Sequence, residues 1–221
     1  MTPAIELQHV SVAYGQVQAL QDVCLTLPAG AVHGLIGING AGKSTLFGVL
    51  TGSIRPDAGT VRVPGPVAYV PQSEKVDWTF PVSVRDVVTA GRHGHMGPLR
   101  RPRAADRRAV DDALARTDLT DLAGRQIGQL SGGQRKRAFV ARGLAQDAAT
   151  VLLDEPFAGV DRPSQRTVSD LLRTLADDGR CVLIATHDLA SVPGMCDTAT
   201  LLQRTVVAHG APSDVLDRMV H

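Results

Sequence analysis

Apolar and polar positions alternate over residues 4–12, Ala-Ile-Glu-Leu-Gln-His-Val-Ser-Val, the period of a half-buried strand. Residues 20–27 predict a second strand, and Pro28-Ala29-Gly30 predicts the turn that ends it. The next apolar run, Ala31-Val32-His33-Gly34-Leu35-Ile36, has the composition of a buried strand and leads into a glycine-rich loop. A helix is expected from Lys43 to Leu50, a loop over residues 52–59, and short strands at Val61–Val63 and Val67–Val70. After Pro71 the pattern changes. Residues 82–123 are mainly helical in pattern, and Ala109, Val110, Ala113 and Leu114 form one stripe of a helix over Ala104–Thr117. Strand signals return at 150–153 and 181–185, with helices expected between and after them. The pattern thus predicts an α/β fold carrying a helical insert: a first core part at 1–75, a helical subdomain at 76–135 and a second core part at 136–221.

Composition narrows the field. A chain of 221 residues, 43% hydrophobic and 20% charged, is long enough for a substantial core and does not have the make-up of a disordered segment. Its formal net charge of +1 argues against a general nucleic-acid or anionic-membrane binder. No apolar run approaches the roughly 18 residues of a membrane span, and the N-terminal residues lack the pattern of a secretory signal. A cytosolic setting is therefore expected. The three cysteines, Cys24, Cys181 and Cys196, are odd in number and widely spaced, the pattern of small buried apolar side chains in a reducing compartment.

The candidate chemistry begins at Gly37-Ile38-Asn39-Gly40-Ala41-Gly42-Lys43-Ser44-Thr45, which fits G-x-x-x-x-G-K-[ST] between a predicted strand and a predicted helix. Glycines let the backbone wrap a phosphate with its N–H groups inward, and the helix N-terminus adds positive potential. Lys43 is expected to reach the β- and γ-phosphates and Ser44 to ligate Mg²⁺. Farther on, Thr150-Val151-Leu152-Leu153 ends in Asp154-Glu155. A carboxylate at the strand tip can hold Mg²⁺ through water, and its neighbour can take a proton from an attacking water.

Leu130-Ser131-Gly132-Gly133-Gln134 resembles the signature of ATP-binding-cassette (ABC) ATPases, and the rest of the chain follows that family's order. The resemblance implies a nucleotide-binding core with a mainly parallel sheet flanked by helices, an N-terminal antiparallel β subdomain and an inserted α-helical subdomain. It implies ATP and Mg²⁺ as cofactors. Tyr14 corresponds to an aromatic that stacks on adenine, and Gly37 to Thr45 to the Walker A loop. Gln72 corresponds to the glutamine that senses Mg²⁺ and the γ-phosphate, Asp154 and Glu155 to Walker B and its catalytic glutamate. Asp161, in Ala158-Gly159-Val160-Asp161, belongs to the D-loop, and His187 is the switch histidine. Ser131, Gly132, Gly133 and Gln134 would serve the ATP of a second copy in a head-to-tail homodimer.

The segment from Pro71 to Val84 resembles the ATPases of manganese, zinc and iron(II) importers, as do Gln134-Arg135-Lys136-Arg137 and Pro156-Phe157-Ala158-Gly159-Val160-Asp161. That resemblance implies an ATPase at the cytoplasmic face of the cell membrane, beneath separate permease subunits and working with an extracytoplasmic metal-binding lipoprotein. Trp78 and Phe80 are candidates for the permease groove. A haem or siderophore importer, a small exporter, or a non-transport ABC ATPase that regulates a partner are the alternatives. Two departures from the family pattern touch no catalytic group: Ala158 stands where many cassettes have Ser, and Gly143 where Ala is common. His93-Gly94-His95 forms no closed metal set, and the arginines from Arg100 to Arg108 fit a solvated helix face.

Overall fold

The computed structural model describes residues 3–72, 81–97 and 101–220. Trp78, Phe80 and Arg100 lie outside the described residues. The chain divides into two compact units: one from Met1–Tyr69, Ala149–Pro156 and Leu172–His221, the other from Val70–Ala148 and Phe157–Leu171. Among the described residues no helix is long and apolar enough to cross a membrane.

The first unit holds two sheets. Strand β1 (Pro3–Tyr14) pairs antiparallel with β2 (Val17–Pro28) and with β4 (Ala58–Arg62). The alternation foreseen for residues 4–12 is real but slips phase once. Ile5, Leu7, Val10 and Val12 are buried, while Gln8 and His9 are both exposed, because a bulge lies between Leu7 and Val10. The larger sheet has the order β5-β6-β7-β3-β8-β9. Its members are β3 (Ala31–Ile36), β5 (Val67–Val70), β6 (Thr150–Asp154), β7 (Cys181–Thr186), β8 (Thr198–Gln203) and β9 (Thr205–Gly210). Strands β6, β7, β3 and β8 are parallel, and β9 returns antiparallel. Strands β6 and β7 are buried along their whole length, which is why they appear in sequence as continuous apolar runs rather than alternations.

Helix α1 (Lys43–Leu50) sends Leu46, Phe47, Val49 and Leu50 into a core shared with Leu35, Leu152 and Leu183 of the parallel sheet and with the apolar face of β1 and β2. Tyr69 meets Phe47 edge to face at 5.7 Å between ring centroids. His33 is wholly buried on β3, with Nδ1 against Thr198 Oγ1 at 2.7 Å and Nε2 donating to Pro28 O at 2.9 Å. Burial pushes its pKa below the usual histidine value.

The second unit is built on α2 (Val84–Ala90), α3 (Ala104–Arg116), α4 (Gly132–Ala145) and the first part of α5 (Arg162–Asp177). The stripe foreseen on α3 buries Val110, Ala113 and Leu114. Arg92 and Asp106, both buried, meet at 3.0 Å, and Arg92 Nη1 donates to Ala145 O at 2.9 Å. Asp106 also accepts the Arg103 N–H at the start of α3. That bond, with Arg92 beside it, holds its carboxyl below the usual range. His95 Nε2 donates to Gln146 O at 2.9 Å, so this histidine clasps a loop carbonyl. Arg101, Arg103, Arg107 and Arg108 are exposed.

Two expectations fail. The stretch after residue 185, expected as helix, holds the β8–β9 hairpin, with only the short α6 (Val192–Met195) before it and α7 (Pro212–Val220) after it. Thr198–Gln203 is a buried strand whose continuous Ala-Thr-Leu-Leu run has no period of its own. Cysteine burial is also divided. Cys181 and Cys196 are buried, and burial pushes both thiols up to about 12, but Cys24 is exposed.

Candidate functional site

The loop from Gly37 to Thr45 is shaped by three glycines with different duties. A Cβ on Gly37 would lie 2.5 Å from Leu202 O and 2.8 Å from the Ala41 methyl, so strand β8 closes the loop from behind. Gly42, at φ +100°, has Ala19 O 2.6 Å and Leu20 Cδ2 2.8 Å from where its Cβ would stand. Gly40, at φ +80°, faces open space on its Cβ side. The loop thus packs tightly at both ends, and its crest is free. Ala41 O accepts the Arg204 N–H at 2.8 Å, so the β8–β9 turn braces the loop.

Helix α1 starts from this loop with Gly42 at its N-cap, no side-chain cap and no acidic residue in its first turn. By contrast, α2 and α4 begin with complete capping boxes, Ser83 with Asp86 and Ser131 with Gln134. The first N–H groups of a helix need partners from outside it. At α1 no side chain of the N-cap supplies one, and Lys43 opens the helix with its Nζ donating to Gly37 O and, at 3.4 Å, to Ile38 O. Asn39 and Ser44 are exposed and Thr45 is half-buried. An open crest, uncapped N–H groups and an ammonium, with no carboxylate in the first turn, fit a polyphosphate.

The parallel sheet brings the other groups of this unit to the same edge. Register pairs Ile36 with Thr186 and Asp154 with Ala185, so the C-terminal ends of β3, β6 and β7 lie side by side. Gly37, Glu155 and His187 are the residues that follow those strands. Asp154 and Glu155 are both 7% exposed. Glu155 takes a left-handed backbone conformation at φ +51°, its N–H donating to Ala185 O at 2.9 Å. A non-glycine residue there costs on the order of 1–2 kcal/mol. Its carboxylate accepts from His187 Nδ1 at 2.8 Å, and the imidazole is otherwise largely exposed. A buried acid, turned by a strained backbone toward a histidine, can receive a proton from a neighbouring water. Asp154 and the Ser44 hydroxyl supply the hard oxygen donors that suit Mg²⁺.

Tyr14 is 53% exposed at the end of β1, opposite Val17, which is 60% exposed. Gly15, at φ +61°, makes the tight turn that pairs them. Val17 is an exposed apolar partner that sequence reasoning missed, and the two-residue hairpin Gly15-Gln16 was the signal for it.

The remaining expected site residues belong to the second unit. Ser131 caps α4: its hydroxyl oxygen accepts the Gln134 N–H at 3.3 Å, and Gln134 Oε1 accepts the Ser131 N–H at 3.0 Å. Ser131 and Gly132 are both exposed. Gly133 is buried, and a Cβ there would lie 2.5 Å from Asp161 Oδ2 and 2.9 Å from Ser164 Oγ. Asp161 caps α5 by accepting the Ser164 N–H at 3.0 Å, and that bond and the Ser164 hydroxyl hold its carboxyl below the usual range. Gln72 is exposed, and its backbone carbonyl accepts from Lys136 Nζ at 3.3 Å. Arg137, buried in α4, ties the helix to Thr117 O and to the Asp118 carboxylate, both at 3.0 Å.

The chain is similar to known proteins in sequence and in fold. A family model described as ABC transporter matches residues 20–158. The chain is 46% identical to a manganese transport system ATP-binding protein of Synechocystis, with 97% of this chain and 86% of that one covered. It is 40% identical to a zinc transport system ATP-binding protein of Treponema pallidum, over 94% of this chain and 81% of the other. The solved structure of a metal-chelate type ABC transporter in an inward-facing conformation superposes with a TM-score of 0.89 at 31% identity, covering 97% of this chain and 86% of that chain. A nucleotide-free ATP-binding cassette from an ABC transporter shares the fold at a TM-score of 0.87 and 22% identity, over 99% of this chain and 95% of that one. A glycine-rich loop at a helix N-terminus, a buried carboxylate bonded to a histidine and relatives that align over nearly the whole chain have one common reading: the chain belongs to the ABC transporter family, as a subunit that binds and hydrolyses ATP.

Proposed function

We propose that this subunit powers the import of a divalent transition metal ion, manganese first and zinc or iron next, from the cytoplasmic face of the cell membrane. The relatives named for manganese, zinc and chelated iron transport support the substrate class. The observation that carries the chemistry is the bond between Glu155 and His187 beside Asp154, at the sheet edge that also carries the phosphate loop. Its partners are permease subunits and, through them, an extracytoplasmic metal-binding lipoprotein.

In this reading the N–H groups of Asn39, Gly40, Gly42, Lys43, Ser44 and Thr45 hold the phosphates of ATP, the Ala41 N–H bonds Ile38 O at 3.1 Å and so shapes the loop between them, and Lys43 neutralises the phosphate charge. Tyr14 offers its exposed ring to the adenine. Ser44 and Asp154 would hold Mg²⁺, which supplies charge neutralisation on the phosphate oxygens. Glu155 accepts the proton of the attacking water. His187 fixes the Glu155 carboxylate through Nδ1 and positions the terminal phosphate. Ser131, Gly132, Gly133 and Gln134 of a second copy, with Asp161, complete the site in a head-to-tail homodimer, an isologous arrangement in which each copy gives what it receives.

The test is uptake of Mn²⁺, Zn²⁺ and Fe²⁺ by cells that carry either the wild-type chain or Glu155→Gln as their only copy. Loss of one ion's uptake in the variant identifies the substrate. Unchanged uptake of all three refutes the metal assignment. In the purified protein, Glu155→Gln should keep ATP binding, lose turnover and accumulate an ATP-bound dimer, while full turnover would remove Glu155 from the proton-accepting role. Lys43→Ala should lose nucleotide affinity.

A further inference from the structure

Two β-bulges in series gather three metal-ligating side chains on the exposed side of the N-terminal sheet. Between the pairs Leu7↔Leu25 and Val10↔Val23, two residues of β1 face the single residue Cys24 of β2. Between Val10↔Val23 and Val12↔Leu20 the excess moves to β2, where Gln21 and Asp22 face Ser11. Each bulge puts a non-glycine residue in the left-handed region, His9 at φ +54° and Asp22 at φ +49°. Bulges re-aim side chains, and these two turn His9 and Asp22 toward Cys24. His9 Nδ1 lies 2.7 Å from Asp22 Oδ1 and 3.7 Å from Cys24 Sγ, and the three ligand atoms all fall within 4.8 Å of one another. Among the described residues this is the one cluster of three such groups. His9 and Cys24 also line a shallow groove with Glu6, Thr26 and His209.

We propose that His9, Asp22 and Cys24 form a surface site for Zn²⁺, separate from the ATP and Mg²⁺ site. The spacing suits a tetrahedral ion. With Zn–N and Zn–O near 2.1 Å and Zn–S near 2.3 Å, the tetrahedral edges are about 3.4 Å for N···O and about 3.6 Å for N···S. The sulfur edge is already at that length. The His9–Asp22 contact must open by some tenths of an ångström, and both side chains are more than two-thirds exposed and free to turn. Ligation exchanges the hydrogen bond between His9 and Asp22 for two bonds to the ion. The Cys24 thiol gives up its proton to water, the single imidazole proton sits on Nε2 so that the Nδ1 lone pair faces the ion, and a water takes the fourth position. The thiolate sets the selectivity: a set of one imidazole, one carboxylate and one thiolate favours zinc over manganese, magnesium or calcium, which prefer all-oxygen shells. The site therefore answers to a metal different from the Mg²⁺ of the nucleotide site and from a manganese cargo.

The chelator-stripped full chain, without nucleotide, is titrated with Co²⁺ and then with Zn²⁺. One equivalent of Co²⁺ should produce a thiolate-to-cobalt charge-transfer band in the near ultraviolet, and Zn²⁺ should erase it. The nucleotide site contains no thiol, and Cys181 and Cys196 are buried, so the band reports Cys24 alone. Cys24→Ser should abolish it. His9→Asn and Asp22→Asn, which keep a residue tolerant of the left-handed conformation, should weaken cobalt binding at least about tenfold. Zn²⁺ should also slow alkylation of Cys24 in the wild type, and should raise the wild-type melting temperature but not that of Cys24→Ser. Absence of the band at saturating Co²⁺, or a band that survives Cys24→Ser, overturns the proposal.

Discussion

Two glycines in one loop separate the cost of backbone strain from the cost of a wall. Gly42→Ala adds a methyl at φ +100°, with Ala19 O 2.6 Å and Leu20 Cδ2 2.8 Å from the new carbon. The left-handed conformation costs on the order of 1–2 kcal/mol for alanine. Forcing a methyl against a backbone oxygen and a fully buried leucine adds about 1–3 kcal/mol. Alanine's smaller unfolded-state entropy returns about 0.4–1 kcal/mol. The net loss is about 2–4 kcal/mol, a large share of the roughly 5–15 kcal/mol that keeps a domain folded. Gly40→Ala carries a comparable strain at φ +80° but has nothing within 4 Å of its Cβ, so its net loss is about 1 kcal/mol. Urea unfolding of the nucleotide-free protein, followed by circular dichroism, gives both values. ATP affinity should rank the two differently, because the crest that Gly40→Ala would crowd is the face offered to phosphate. If Gly42→Ala unfolds at the same urea concentration as Gly40→Ala, the wall formed by Ala19 and Leu20 does not constrain the loop, and the reasoning fails.

Two further outcomes follow from the same kind of geometry. Burial holds the His33 imidazole below the usual pKa of 6.5, so below that pH the unfolded chain takes up a proton that the folded chain refuses. Stability is complete above pH 6.5 and falls as the pH drops below it, by up to about 1.4 kcal/mol per pH unit. His209, lowered in the same direction by burial, contributes with the same sign. The urea midpoint of His33→Gln should depend less steeply on pH between 5 and 6.5 than that of the wild type, and equal slopes would refute this account. Gly133→Ala should cost about 1–3 kcal/mol, because its methyl would press on the Asp161 carboxylate. Adding Asp161→Ala should restore part of that loss in the same unfolding assay, whereas simple additivity would disconnect the two residues.

The sequence was most legible where local pattern and chemistry agree. The strand at 31–36 and the helix at Lys43–Leu50 match their observed bounds, because an apolar run, a glycine-rich loop and a lysine each point the same way. The hairpin of β8 and β9 was not legible. Its Ala-Thr-Leu-Leu run is buried by the neighbour it pairs with, and that neighbour is β3. Arg204 was invisible for the same reason. Its backbone N–H braces Ala41 only once β8 lies beside the loop. At Glu155 the residue type was legible, but its left-handed backbone and its 2.8 Å bond to His187 depend on how β6 and β7 align. Cys24 was misjudged because a bulge, not composition, decides which way that part of β2 faces.

Strand order also governs when the phosphate loop can be built as the chain is made. Strand β3, which leads directly into the loop, has β7 on one side and β8 on the other. Ala31 pairs with Cys181 and His33 with Thr198. A nascent chain that has emerged only as far as Arg180 therefore has no partner for either edge of β3. The β1–β2 hairpin and the helices α2, α3 and α4 are already complete by then. Pairing so distant in sequence is slow, since the loop-closure entropy is lost before any contact compensates for it. The nucleotide site consequently cannot take shape before β7 and β8 have been made, and its apolar strand waits for them with both edges open.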